Sequence, residues 1–226
     1  MPLIAQSTGY TQLAELYPLI APHVPECPIP LIRAALIRAL REFFSDSRCW
    51  RQTRITLLTT VQGQSAYQLA APENGELLQV QSAWDGLTEV EAGVPGDDDD
   101  WSPDDTSTTW TIAVSADASN LELTPTPSTD GVVIKGSMSY TLSENASAFP
   151  DWVYREYKKG LAMGAAADLV LQPQKPWSNP QTYLVLRGEF EAAVRVASNL
   201  AGPTRRKAIR RKPWRSHAPD RPAPPR

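Results

Sequence analysis

The chain has 226 residues, room for one large domain or two small ones, and its 42 % apolar content is enough to build a core. Its net charge of −3 hides an asymmetry: residues 203–226 carry nine basic residues against one acid, a net of +8, while the preceding 202 carry 13 basic residues against 24 acids. No apolar run approaches the ~18 residues of a membrane span, and two histidines are a poor stock for proton-transfer catalysis.

The N-terminus lacks the basic-then-apolar order of a secretory leader, and the only cysteines, Cys27 and Cys49, form no CxxC pair. Synthesis in a cytoplasm with reduced thiols is the expectation.

Residues 1–50 read as helical. Residues 11–20 form a short amphipathic stretch, followed by a proline-rich link (Pro18, Pro22, Pro25, Pro28, Pro30). Then Leu31, Ile32, Ala35, Leu36, Ala39, Leu40, Phe43 and Phe44 recur as adjacent pairs every four residues, the pattern of a helix with one apolar face. Pro30 sits at its start, where a missing amide proton costs nothing.

From residue 51 to about 142 the texture changes to threonine, valine, serine and glutamine. Strands are predicted over 51–61, 77–84, 108–114, 120–123 and 132–142, with turns at Asn74-Gly75, Asp85-Gly86 and Asp130-Gly131. Short strands at regular spacing predict an antiparallel sandwich or small barrel. Residues 93–107, rich in Gly, Pro, Asp and Ser, read as an exposed loop.

The helical period returns at Pro150 and Asp151. One helix is predicted to about residue 171, with a small-residue tract from Gly160 to Ala167. A second opens at Ser178-Asn179-Pro180, a cap followed by proline, and runs to about Ala201. Leu186, Phe190, Val194, Ala197 and Ala201 share one face, and Glu191 with Arg195 makes an expected i,i+4 pair. Gly202-Pro203 ends it. The fold class is therefore α+β: a helical bundle from 1–50 and 149–202, an inserted β domain over 51–148, and a flexible basic tail over 203–226.

Motifs that carry chemistry are scarce. No GxSxG, HExxH or zinc spacing occurs. Gly131 to Ser137 resembles a phosphate loop superficially, but lacks the Gly-Lys-Ser order and reads as a strand. Asp97, Asp98, Asp99, Asp100, Asp104 and Asp105 are rich in oxygen ligands, yet the sixth and twelfth positions counted from Asp97 are Ser102 and Thr108, where a calcium loop of the EF-hand type needs Gly and Glu. No catalytic, cofactor or metal residue is assigned.

Charge is more informative. Between Arg54 and Lys135 there are 14 acids and no lysine or arginine. Such a surface serves solubility, or repels a passing polyanion that basic contacts would trap. The acidic loop at 97–105 is the expected channel- or partner-facing element. The tail, with six prolines and little apolar content, is expected to be disordered alone. Arg205, Arg206, Lys207, Arg210, Arg211, Lys212 and Arg215 suit phosphates or an acidic protein surface, and Trp214 among them is a natural anchor for a partner pocket.

Three stretches resemble the head-to-tail adaptors of tailed phages, the group that includes tail tubular protein A. The first is 16–28, opening on Leu16-Tyr17-Pro18 and closing on Glu26-Cys27-Pro28, which leads through the Phe-bearing helix to Ser47-Arg48-Cys49-Trp50-Arg51. The second is Phe149-Pro150-Asp151-Trp152-Val153-Tyr154. The third is Lys175-Pro176-Trp177-Ser178-Asn179-Pro180. The strand region matches only in kind. The resemblance implies a structural virion protein at the head–tail junction, not an enzyme: a homo-oligomeric ring, usually a dodecamer, beneath the portal protein. Its C-terminal extension would grip the portal, its β domain would meet neighbours or the next tail component, and genomic double-stranded DNA would pass through the lumen without specific binding, as in ejection. Rival expectations are another virion ring, such as a tail terminator or head-completion protein, and a DNA-binding protein using the tail.

Overall fold

The computed structural model describes residues 9–86, 88–92, 110–115 and 120–201. Its elements run helix, strand, helix, as the hydrophobic periods require. α1 (Tyr17–Ile20), a single turn between two 3₁₀ turns, precedes α2 (Ile29–Ser47); α3 (Asp151–Val170) and α4 (Pro180–Ala201) close the described chain. Between them lie β2 (Arg51–Thr59), β3 (Ala66–Gln68), β4 (Gly75–Asp85), β5 (Thr88–Ala92), β6 (Thr111–Val114), β7 (Asn120–Thr124) and β8 (Val133–Leu142). Two short strands, β1 (Tyr10–Gln12) and β9 (Ala148–Pro150), pair with each other.

Each helix end has a local cause. Pro28 is extended, and its carbonyl accepts from the Leu31 and Ile32 amides, so α2 starts with Pro30 in its first turn. It stops at Arg48, which adopts the left-handed conformation (φ +51°) that ends helices. Asp151 opens α3, where its charge suits the helix dipole; it accepts from Thr11 Oγ1 at 2.9 Å and pairs with Arg155 one turn on. That hydrogen bond ties β1 to α3.

α3 is the central helix. From Gly160 to Ala167 every residue is buried, so neighbours surround it. α4 packs antiparallel along its glycines: a Cβ on Gly160 would lie 2.4 Å from that of Ala193, and one on Gly164 would lie 2.4 Å from the Phe190 ring. The predicted small-residue tract therefore permits close helix approach. The predicted inner face of α4 holds for Leu186, Phe190 and Ala197, which are buried, with Val194 partly so. Helices from both ends of the chain thus share one core, and an aromatic run of Tyr157, Phe43, Phe44, Trp50 and Tyr140 carries it from α3 and α2 into β8.

The strands form one seven-stranded sheet ordered β2-β8-β4-β5-β6-β7-β3. The predicted turns sit where the chain needs positive φ: Asn74, Gly86 and Gly131 have values of +60°, +59° and +81°. Both ladders of β8 carry register shifts.

Four expectations change. Residues 11–20 are not one amphipathic helix: Thr11 and Gln12 lie in β1, because their backbone groups pair with β9, and only a 3₁₀ turn and α1 follow. The strands are not all antiparallel, since β5 and β6 run parallel through Glu91 and Ala92 opposite Thr111 and Ile112. The sheet is open, with β2 and β3 as its edges, so no closed barrel forms among the described residues. Glu191 and Arg195 make no ion pair: Arg187, four residues earlier, takes the Glu191 carboxylate, and Arg195 donates to the Glu191 carbonyl oxygen instead.

Candidate interaction surface

Among the described residues no group of three or more His, Cys, Asp or Glu side chains comes together as a metal site. His23 is exposed in a 3₁₀ turn, and Cys27 and Cys49 are free thiols. The phosphate-loop look-alike is the start of β8: a Cβ on Gly136 would lie 2.2 Å from the Ser82 carbonyl oxygen, so that glycine serves a close strand crossing. No described helix is long and apolar enough to cross a membrane.

Arg187 organises the charged chemistry of the helical layer. It donates to both carboxylate oxygens of Glu42 on α2 and, through Nε, to Glu191 at 3.0 Å, and its guanidinium lies 5.1 Å from the Phe190 ring centre. The hydrogen bond to Glu42 pushes the Arg187 pKa still higher, so its charge is fixed. Asp46, one turn from Glu42, is shifted upward by burial first and by the Glu42 charge second. An open depression beside them is lined by Asp46, Arg187, Phe190, Glu191, Val194 and Arg195. Its guanidinium groups are already engaged, so it is a packing feature of the α2–α4 seam.

A second arginine joins helices to sheet. Arg41 of α2 donates to Glu76 of β4 at 3.3 Å and to the Leu142 carbonyl oxygen of β8 at 3.2 Å, with Glu144 at 3.8 Å. Arg38 pairs with Asp168 of α3, and Lys159 with Glu189 of α4. Arg38, Arg41, Lys159 and Arg187 are thus each paired with an acid of a neighbouring element. On the sheet, Glu73, Glu122 and Asp130 are exposed, and the next cation along the chain after Arg54 is the exposed Lys135. The described part of the acid-only region therefore does present acids to solvent.

The predicted acidic loop (Asp97, Asp98, Asp99, Asp100, Asp104, Asp105) and the predicted portal-binding residues (Arg205, Arg206, Lys207, Arg210, Arg211, Lys212, Trp214, Arg215) lie outside the described residues. The structure adds one surface that the periodicity reading passed over. The outer side of α4 is apolar: Leu184, Val185, Val196 and Leu200 are 76, 69, 52 and 66 % exposed. Its signal was present as a second apolar stripe, hidden beside the stronger inner one.

No curated protein matches the chain. A family model described as SU10 adaptor protein matches residues 11–214, which span β1, the sheet, all four helices and the tail as far as Trp214. Kinship with the tail tubular protein A group in particular rests on the motifs alone. With that match running over most of its length, the chain belongs to the SU10 adaptor family of phage head-to-tail adaptors.

Proposed function

We propose that this protein is the structural adaptor that joins a phage head to its tail, as a ring, dodecameric by resemblance, seated under the portal. It has a helical unit (1–50 and 149–202), an inserted strand unit (51–148) and a portal-gripping tail (203–226). It performs no catalysis: its work is to hold partners in register while DNA passes.

The observation that carries this reading is that the family match continues past the end of α4 into the basic tail and reaches Trp214. A +8 segment with a single tryptophan, following a body of net −11, is a segment with a binding role of its own. The tail orders on the portal, where new contacts offset its conformational entropy, so assembly is confined to the right vertex. The acid-only region, including residues 97–105, faces the channel or the next tail component, where it repels DNA rather than trapping it.

Binding to purified portal should weaken steeply as salt rises from about 50 to 500 mM, because charge is the tail's main resource. Binding that stays flat across that titration rules out an electrostatic clamp. Tight, salt-dependent binding to free double-stranded DNA with none to portal favours a nucleic-acid arm instead.

A further inference from the structure

The outer side of α4 carries an apolar line to the very end of the helix. Ala192, Val196 and Leu200 are spaced four apart, all three are exposed, and Leu200 is the last residue but one of α4. Large apolar side chains left bare in a row mark an interaction site. The segment that follows the helix starts right beside this line.

α4 ends at Ala201, and Gly202-Pro203 comes next. Proline has no amide proton to continue a helix, and glycine adopts the turns that reverse a chain. Twelve residues separate Ala201 from Trp214. Extended, that stretch reaches roughly 40 Å. Ala192 lies only about 14 Å back along the helix. The segment therefore has ample length to turn round and lie over the line. Across 203–226 the only large apolar side chains are Ile209 and Trp214. Meeting Val196 and Leu200 would take both of them, and the helix face, out of water. The tether holds the partners at a local concentration on the order of millimolar, so even a weak contact forms.

Charge favours the chain's own tail over a second copy of the body. The tail is +8 and the preceding 202 residues are −11, so tail and body attract while two bodies repel. The exposed charges of α4 are Glu189 and Glu191 against Arg195. Glu189 stands seven residues before Val196, on the same line, and although it pairs with Lys159 it stays half exposed.

We propose that in the free chain residues 204–214 fold back on α4, with Trp214 over Val196 and Leu200. The contact is an autoinhibitory latch: it occupies the tail's aromatic anchor until a portal displaces it. That consequence rests on the portal-gripping reading, whereas the contact itself does not.

The full chain tests the latch, without portal, in a Cys27→Ser, Val196→Cys background labelled with a maleimide. Cys49 stays silent, because burial pushes its thiol up to about 11 and leaves it unreactive near pH 7. Adding Trp214→Ala should speed labelling of position 196 about fivefold, at a rate independent of chain concentration. Equal rates with and without Trp214 overturn the latch. Labelling that slows as the chain is concentrated, and ignores Trp214, means that a second copy covers α4, and also overturns it. Portal binding then separates the latch from the reading beneath it. Val196→Ser should tighten portal binding a few-fold, because the latch no longer competes, and Trp214→Ala should weaken it. If Trp214→Ala weakens portal binding but Val196→Ser leaves it unchanged, autoinhibition is overturned and the portal grip stands. If Trp214→Ala speeds labelling but neither substitution alters portal binding, the contact stands and the portal-gripping reading falls.

Discussion

Gly136 lies where β4 and β8 cross so closely that a Cβ would stand 2.2 Å from the Ser82 carbonyl oxygen and 2.6 Å from Leu57 Cδ1. Gly136→Ala forces the ladder apart at a register shift and should cost about 1–3 kcal/mol, read as a lower denaturation midpoint. An unchanged midpoint would mean the crossing is looser than described. Cys49 is the other telling residue. Burial pushes its thiol up to about 11, while burial, then the Cys49 and Glu156 charges, push the Tyr157 hydroxyl up to about 12. Both groups are neutral when protonated, so the folded chain holds these protons more tightly than the unfolded one. Their contribution is full below the ordinary thiol value of about 8.5 and is lost as pH climbs toward 11. Denaturation midpoints at pH 8 and pH 10.5 should fall accordingly, and Cys49→Ser should recover part of the fall; a flat profile contradicts the burial of this pair.

At the scale of elements, α2, α3 and α4 were legible because each carries a long period and a proline or cap at its start. The strands β2, β4, β6, β7 and β8 were legible through β-branched runs between turns whose glycines or asparagine now show positive φ. The elements that escaped are three to five residues long and get their pairing from distant partners. β1 and β9 exist because Tyr10 meets Pro150 across the chain, a contact no local pattern encodes. Residues 11–20 looked helical for the same reason: Leu13, Leu16 and Ile20 have helical spacing, but only part of the segment escapes the strand. The Arg187 cluster escaped because it joins Glu42 and Glu191 over two helices. α4 offers a direct check of its unused face. Gly188→Ala should stabilise the free chain by about 0.5–1 kcal/mol, because the added methyl meets nothing and the unfolded chain loses freedom. A loss of stability would show that Gly188 is already packed.

Over the whole molecule, charge separates function from framework. Inside the helical layer Arg38, Arg41, Lys159 and Arg187 are spent on Asp168, Glu76, Glu189, Glu42 and Glu191. Between Arg54 and Lys135 the chain exposes Glu73, Glu122 and Asp130, and nine of the 22 basic residues of the chain are held back for its last 24 positions. Composition made that asymmetry visible at once, since charge needs no fold to be counted. The exposed apolar stripe of α4 was not visible in the same way, because it is recognised only after the buried one is placed. The most direct measurement is electron microscopy of the purified portal ring mixed with the full chain and, in parallel, with a chain ending at Ala201. The account predicts an added ring of density under the portal with the full chain and none with the shortened one. An added ring of equal occupancy from the shortened chain would contradict it, and would place the grip on the portal in the helical layer or the sheet.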